Sequence, residues 1–225
     1  MTYPGGKAGS GVYQRIINQI PPHHTYIELF LGDGAIMRAK QPADMSIGID
    51  IDPELIYLWE KEGLGAIAVN GDAISFLKDY QYHGNEFIYA DHPYLQSTRK
   101  GDVPIYRYEF NTPKQHQELL KLLKKVPCNV AISGYRSGLY NRMLKGWRSI
   151  DYKTRTRAGS VIETLWMNYP EPKTLHDYSY LGNDYRQRET FAKQKRRTIA
   201  KLKSMPALKR YAMIAAIKEF EIMES

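Results

Sequence analysis

Short apolar runs alternate with amphipathic stretches along the first part of the chain. Each run is short and rich in Ile, Val, Tyr and Phe, which predicts five β-strands, at 24–30, 45–50, 66–70, 85–91 and 129–135. Helical periodicity separates them, and the clearest case places Leu119, Leu120, Leu122 and Leu123 on one stripe. Apolar strands that alternate with helices predict an α/β domain with a mostly parallel sheet covered on both faces.

The pattern changes after the fifth predicted strand. Residues 147–170 read as two further strands joined by a basic turn at Gly159-Ser160, so we expect an antiparallel hairpin at the edge of the sheet. Prolines at 170 and 172 then precede a polar, basic and helical segment. The sequence therefore predicts two parts: an α/β domain over 1–172 and a basic helical C-terminal extension over 173–225.

Charge and composition narrow the function classes. The 225 residues are 43% hydrophobic, with one cysteine, Cys128, and no apolar run long enough to cross a bilayer. These features predict a soluble cytoplasmic protein. The net charge is +8, and residues 186–210, which hold ten Lys or Arg and one Glu, carry +9, so the rest of the chain sums to about −1. Such a segment is typical of polyanion binding, and the alternative is a solvated helix that only aids solubility.

Three predicted strands end in residues suited to a nucleoside. The first runs into Gly32 and Gly34, the second ends at Asp50, and the third leads to Asp72 and Ala73. Ligands of open α/β sheets bind at the carboxyl ends of the strands, where glycines admit a ligand and a carboxylate accepts ribose hydroxyls. The alternatives are a structural turn for the glycines and helix caps for the acids.

The fourth strand delivers an acid and an aromatic ring to the same edge, in the stretch "IYADHPYL" that contains Asp91 and Tyr94. Near the N-terminus, "YPGGK" places Lys7 after two glycines, where it could clamp a carboxylate. The alternative for that stretch is a flexible terminus. The histidines lack metal-ligand spacing, so we predict no metal site.

In their order and spacing, these motifs resemble the Dam-like, phage-associated N6-adenine-specific DNA methyltransferases. The resemblance covers about residues 1–170 and rests on "YPGGK", "ELFLGDG", "GIDID", "GDA", "DHPYL", "STRKGDVPIYRYEF", "ISGY" and "ETLWMNYP". It implies a Rossmann-like methyltransferase fold, S-adenosylmethionine as cosubstrate, DNA as partner, and the cytoplasm of a bacterium or phage-infected cell as the location. Oligomeric state stays open.

The resemblance also implies roles for individual positions. Tyr3 and Lys7 would meet the methionine end of the cosubstrate, Asp50 the ribose and Asp72 the adenine. The implied cosubstrate contacts are Tyr3, Lys7, Glu28, Phe30, Gly32, Asp33, Gly34, Asp50, Ile51, Asp72 and Ala73. The implied catalytic positions are Asp91, His92, Pro93 and Tyr94, which match the family's Asp-Pro-Pro-Tyr motif except at His92.

The chemistry of that motif needs these residue types. An adenine amino group is a poor nucleophile, and two acceptors for its N–H bonds, the Asp91 carboxylate and the carbonyl of residue 92, would free its lone pair. Tyr94 would stack on the flipped base. Because the role at 92 belongs to the backbone, we expect His92 to permit activity. The alternative is a catalytically weak or inactive DNA-binding homologue.

Gly34 and Asp91 are 57 positions apart, which leaves no room for the large target-recognition insert of longer Dam-like enzymes. Contacts to nucleic acid must therefore come from basic residues elsewhere. The candidates are Arg99, Lys100, Arg107, Arg155, Arg157, Arg196 and Arg197. RNA methylation at adenine N6 is the second enzymatic alternative.

Overall fold

The computed structural model describes Lys7 and residues 11–99, 106–156 and 159–224, with the backbone alone at 155, 156 and 224. The chain divides into two compact units, Met1–Tyr178 and Ser179–Ser225. The boundary at residue 172 stays a prediction.

The first unit is built on a mixed sheet. Within the described residues it has seven strands in the order β3-β2-β1-β4-β5-β7-β6. The strands are β1 (Thr25–Leu29), β2 (Met45–Asp50), β3 (Ile67–Asn70), β4 (Glu86–Ala90), β5 (Asn129–Gly134), β6 (Arg148–Thr156) and β7 (Gly159–Met167). The helices of this unit are α1 (Val12–Ile17), α2 (Ala35–Ala39), α3 (Pro53–Glu62), α4 (Ala73–Asp79), α5 (Pro113–Leu123) and α6 (Gly138–Met143), with a 3₁₀ turn at Gln96–Thr98.

Pairing confirms the predicted fold class. Strands β1 to β5 are parallel to one another, whereas β7 runs antiparallel to both β5 and β6. The sheet is therefore Rossmann-like and mostly parallel, and it is closed at one edge by the predicted hairpin. The strand order reverses between β1 and β4, where Leu29 lies opposite Ala90. A crevice for a ligand forms outside the carboxyl ends of strands at such a point.

Buried aliphatic and aromatic side chains fix the central strands. Every residue of β1 and β4 is buried, which explains why both read as continuous apolar runs. Helix α5 covers the sheet with Leu119, Leu120 and Leu123, all fully buried. Burial of side chains of this size stabilises the fold by about 1.5–3 kcal/mol each.

Side-chain caps start the helices that follow the strands. Asp52 accepts the backbone N–H of Glu54 at the start of α3, and Asp72 caps α4. Thr112 and Gln115 form a capping box at α5, with Pro113 in the first turn. These caps fix where each strand-to-helix loop ends, and hence where its acids lie.

The second unit consists of two helices, α7 (Tyr185–Ser204) and α8 (Ala207–Glu224). Asp184 caps α7 by accepting the backbone N–H of Gln187. Pro206 separates the helices because proline disfavours helical backbone at the residue before it, and Met205 is extended. In the part of the chain that is described, no helix is both long and apolar enough to cross a bilayer.

Candidate functional site

A pocket lies at the carboxyl ends of β1, β2, β3 and β4, where the strand order reverses. Most of the predicted site residues meet there. Those that line the pocket are Lys7, Glu28, Phe30, Gly32, Asp33, Asp50, Ile51, Asp72, Ala73, Asp91, Pro93 and Arg107. The segment 106–110 closes another wall. Tyr3 lies outside the described residues.

The loop after β1 has an unusual backbone. Phe30, a non-glycine residue, has a φ of 60°, and Gly34 has a φ of 57°. A Cβ at Gly34 would lie 2.1 Å from Cζ2 of Trp59, so the glycine is required by both conformation and space. The Trp59 indole N–H donates to the carbonyl of Gly32 at 3.2 Å. Gly34 therefore supports the loop from behind, and its neighbour Gly32 lines the pocket.

Asp50 holds the loop in place. Its carboxylate accepts the backbone N–H of Gly32 at 2.8 Å through Oδ2 and that of Asp52 at 2.9 Å through Oδ1. Burial raises the pKa of this carboxyl, and the two backbone N–H donors oppose the shift. Each oxygen keeps a second lone pair for a ligand hydroxyl. Asp50 thus has a structural task that the sequence alone did not indicate.

Two further predicted contacts also act as caps. Asp72 accepts the backbone N–H of Ser75 at 2.9 Å, and it is exposed at the mouth of the pocket beside Ala73. Glu28 accepts the Tyr26 hydroxyl and the Met37 backbone N–H, both at 3.0 Å and both on Oε2. Burial raises the pKa of Glu28 to about 8. At neutral pH this side chain is therefore largely a neutral acid.

Lys7 and Asp91 form the charged centre of the site. The Lys7 ammonium lies 2.7 Å from Oδ1 of Asp91 and 3.3 Å from Oε2 of Glu163, and its side chain is only 5% exposed. It also donates to the Tyr94 hydroxyl at 2.9 Å. The pKa of Lys7 is raised because its two carboxylate neighbours outweigh the desolvation that opposes them. The pKa of Asp91 is raised by desolvation, against the attraction of Lys7.

Tyr94 is tied to the same centre. Its hydroxyl lies 2.9 Å from Oε2 of Glu163 and 3.2 Å from Oδ1 of Asp91. A hydroxyl has one proton to donate, and the shorter contact favours Glu163 as its acceptor. The ring of Tyr135 packs edge-on against the Tyr94 ring, with 4.6 Å between centroids. The ring is therefore oriented from both its hydroxyl end and one side.

His92 is absent from the pocket lining and belongs to a buried aromatic cluster. Its Nε2 contacts the Tyr140 hydroxyl, which also lies 2.7 Å from Nδ1 of His116. His116 Nε2 lies 3.0 Å from the carbonyl of Phe110, which can only accept, so this nitrogen carries the proton and Nδ1 is an acceptor. Tyr140 therefore donates to His116, and His92 donates through Nε2 to Tyr140.

That assignment leaves the other ring nitrogen of His92, Nδ1, as a buried acceptor with no partner among the described residues. Burial lowers the pKa of His92 well below its usual value, and it lowers that of His116 to about 4. Both rings are neutral at physiological pH. His92 consequently places no positive charge beside the pocket.

The predicted nucleic-acid contacts occupy different environments. The side chain of Arg99 is only 5% exposed, donates to the carbonyl of Tyr94 at 2.6 Å and pairs with Glu109 at 2.8 Å, so it anchors the loop after β4. Arg107 is exposed but pairs with Glu54 at 3.0 Å and lies 3.5 Å from Asp52.

Two of the remaining candidates lie on the exposed helix α7. Arg196 is 3.9 Å from Glu189, and Arg197 is exposed. Arg155 lies in β6 opposite Ser160, and only its backbone is described. Lys100 and Arg157 lie outside the described residues. In the described part of the chain, no group of His, Cys, Asp and Glu is arranged to hold a metal ion.

Sequence reasoning missed Glu163, Tyr152 and the pair of His116 and Tyr140. The signal for Glu163 was an acid in the otherwise apolar run "VIETLWM" of a predicted strand. A charged side chain that faces the buried side of a strand requires a partner there. The partners of His92 carry no such signal. Tyr140 is 48 positions from His92 and 24 positions from His116, so no local sequence pattern connects them.

No family model matches the chain, and no curated protein matches it. Among solved structures it is similar to the 23S rRNA methyltransferase ErmE, with a TM-score of 0.48 and 16% identity over 72% of this chain and 69% of that one. It is also similar to TrmK of M. capricolum bound to S-adenosyl-homocysteine, with a TM-score of 0.46 and 10% identity over 92% and 95% of the two chains. A dimethyladenosine transferase from Plasmodium falciparum gives 0.44 and 16% identity over 69% and 60%. Similarity at this level bears on the fold alone.

Proposed function

We propose that this chain is an S-adenosylmethionine-dependent methyltransferase that modifies N6 of a flipped adenine in DNA. The observation that carries the proposal is the placement of Asp91 after β4 in the lining of the pocket at the ends of β1 to β3. Tyr94 is not part of that lining, but its hydroxyl lies 3.2 Å from Asp91 and 2.9 Å from Lys7. The motif resemblance supplies the choice of DNA. RNA is the second enzymatic candidate, and the assay below separates the two.

The residues present fit the proposed cosubstrate. Asp50 is fixed at the end of β2 with lone pairs to spare for ribose hydroxyls, and Asp72 stands at the mouth beside the Ala73 backbone. Ile51 is an apolar side chain that lines the pocket yet is 46% exposed, as expected for a residue that packs on a flat ring when it is bound. When bound, S-adenosylmethionine supplies a methyl group on a positively charged sulfur.

The chain's own part in the reaction is to orient and activate the amino group. Asp91 accepts one N–H of the adenine amino group, so the nitrogen lone pair is directed at the methyl carbon. As the new N–C bond forms, the bond from that carbon to sulfur breaks and its electrons stay on sulfur. Asp91 stabilises the positive charge that develops on nitrogen, an electrostatic effect worth about a hundredfold or more in rate. The surplus proton leaves afterwards, to Asp91 or to water.

Tyr94 and His92 have supporting parts in this scheme. The Tyr94 ring offers a face for the flipped base, which offsets part of the cost of unstacking it. The backbone carbonyl of His92 is the second acceptor for the amino group. Because the His92 ring is neutral and packed among Phe30, Phe110 and Tyr140, it holds the backbone without adding charge.

The test is a methylation assay with two kinds of acceptor. Purified protein is incubated with labelled S-adenosylmethionine and either duplex DNA or structured RNA, and the modified bases are identified by mass spectrometry. N6-methyladenine in DNA supports the proposal, and N6-methyladenine confined to RNA supports the second candidate. Salt-sensitive nucleic-acid binding without any label transfer contradicts both and indicates a binding protein.

A further inference from the structure

Glu163 is a buried acid with no part in the mechanism above. It lies on β7, directly opposite Tyr152 of β6, and its side chain is 7% exposed. It is the first buried residue along β7, whose preceding positions face solvent or are half-buried. A charged side chain in such a position is destabilising unless it is paired, so its partners indicate its purpose.

Among the described residues, the polar contacts of the Glu163 side chain converge on one carboxylate oxygen. Oε2 accepts the hydroxyls of Tyr94 at 2.9 Å and Tyr152 at 3.1 Å, and it lies 3.3 Å from the Lys7 ammonium. Tyr152 is itself held, since its hydroxyl lies 3.3 Å from that of Ser133. Glu163 thus connects the hairpin of β6 and β7 to Tyr94, which follows β4.

The charges around Lys7 do not balance. One ammonium lies between two carboxylates, at 2.7 Å from Asp91 and 3.3 Å from Glu163. Without the Glu163 carboxylate, Asp91 would be the main acidic neighbour of Lys7, and the ammonium would compete directly with an incoming amino group. With Glu163 ionised, the ammonium is shared, and the cluster of Lys7, Asp91 and Glu163 carries one negative charge in excess.

We propose that Glu163 is a positioning residue for the methyl transfer. It holds the Tyr94 hydroxyl and shares Lys7, so that Asp91 stays available to the adenine amino group. Its charge also makes the buried cluster net negative, which favours a cosubstrate with a positively charged sulfur over the uncharged sulfur of the product. This inference rests on the proposed function, and it adds a charge-based discrimination between cosubstrate and product.

The experiment compares Glu163→Gln with a matched control, Glu86→Gln. Glu86 is also a buried glutamate, but it starts β4 at the opposite end from Asp91 and accepts the backbone N–H groups of His83 and Gly84. Dissociation constants for S-adenosylmethionine and S-adenosylhomocysteine are measured by calorimetry, and kcat and KM by label transfer to the acceptor found in the assay above.

For Glu163→Gln we expect kcat to fall by about ten- to a hundredfold. The preference for S-adenosylmethionine over S-adenosylhomocysteine is expected to fall by about fivefold, as for removal of one nearby charge. Glu86→Gln is expected to lose stability and to keep the wild-type preference. Equal weakening of both ligands by Glu163→Gln, or an unchanged kcat, would overturn the proposal in favour of a structural role.

A second variant, Glu163→Asp, tests the proposal if Glu163→Gln does not fold. Glu163→Asp retains the charge and shortens the side chain, so we expect the preference between the two ligands to persist while kcat falls by about fivefold or more. Loss of that preference in Glu163→Asp would overturn the proposal.

The two proposals fail in different ways. A wild-type protein that binds the cosubstrate but methylates no adenine contradicts the proposed function, and the binding preference still decides whether Glu163 discriminates charge. A protein that binds neither ligand overturns both.

Discussion

Asp50 and Gly32 are joined by a hydrogen bond of 2.8 Å, in which the carboxylate at the end of β2 accepts the backbone N–H of the loop after β1. The same carboxylate accepts the N–H of Asp52. The acid that the resemblance assigns to the ribose therefore also fixes the shape of the pocket. Loss of its charge should affect the fold and the binding of the cosubstrate together.

We expect Asp50→Asn to weaken S-adenosylmethionine binding by about tenfold or more, because the amide nitrogen cannot accept one of the two backbone N–H bonds and a buried donor is left unpaired. Asp44→Asn is the control, since Asp44 precedes the other end of the same strand and is 78% exposed. Calorimetry measures both. Equal affinities for the two variants would show that Asp50 has no role in the pocket.

The positive φ at Gly34 gives a second prediction. Gly34→Ala should destabilise the fold by about 3 kcal/mol or more, because the left-handed backbone costs about 1–2 kcal/mol and the new Cβ meets Trp59 at 2.1 Å. Gly63→Ala is the matched control, with a φ of 62° and no atom within 4 Å of the added Cβ. Urea unfolding should show a clearly smaller loss for Gly63→Ala. Similar losses would mean that the contact with Trp59 does not constrain the loop.

The buried histidines predict a pH effect on stability. Burial lowers the folded-state pKa of His92, so the unfolded state binds a proton at this residue at a higher pH than the folded state does. The contribution of the neutral His92 ring to the free energy of unfolding is therefore present above pH 6.5 and is lost as the pH falls below it. Glu28 acts in the opposite direction, because its raised pKa makes the folded state bind the extra proton between about pH 4.5 and 8. A comparison with a variant that lacks the His92 ring therefore isolates the effect of His92 better than the pH profile of the wild-type stability does.

Between pH 6.5 and 5, the free energy of unfolding of His92→Gln should fall less steeply than that of the wild type. The difference in slope should be about 1.4 kcal/mol per pH unit, the value for one proton. Gln can still donate to Tyr140, which limits the change in packing. The measurement is the free energy of unfolding in urea at several pH values. Parallel profiles for the two proteins would show that the His92 ring titrates normally in the fold.

The basic helix α7 predicts a salt-dependent contribution to nucleic-acid binding. Changing Arg196 and Arg197 to Gln should lower the slope of log affinity against log salt by about 2 on duplex DNA, one contact for each residue. Affinity for S-adenosylmethionine should stay unchanged. The charge-matched control is Lys124→Gln with Lys125→Gln. These exposed lysines lie between α5 and β5, at the amino ends of the strands, whereas the pocket lies at the carboxyl ends. An equal change in both double variants would indicate a general charge effect.

Local pattern was enough to predict the fold. The central strands β1 and β4 are buried throughout because both faces of the parallel sheet are covered there, and such largely apolar runs are visible one at a time. The same holds for the strand-end residues, because the carboxyl ends of parallel strands meet at one edge whatever the order of the strands. The sequence therefore predicts that Gly32, Asp50, Asp72 and Asp91 lie together, and all four line the pocket.

The rest of the site depends on pairing that no local pattern encodes. Glu163 meets Lys7 and Tyr94 because β7 runs antiparallel beside β5, and a shift of one residue in that register would turn its side chain to the other face. The positive charge of a residue also could not show, from the sequence, whether a given arginine anchors a loop or is free to face a ligand. Arg99 is a buried anchor and Arg197 an exposed residue of α7, although both were predicted to contact nucleic acid.

Asp91→Asn tests the central claim most directly. The variant keeps the size of the side chain and removes the charge that would stabilise the developing cation, so N6-methyladenine formation should fall by about a hundredfold or more. S-adenosylmethionine binding should remain close to that of the wild type. The same mass-spectrometric assay measures the methylated base, and calorimetry measures the cosubstrate. A variant that forms N6-methyladenine at the wild-type rate would contradict the assignment of Asp91 and the proposed reaction mechanism with it.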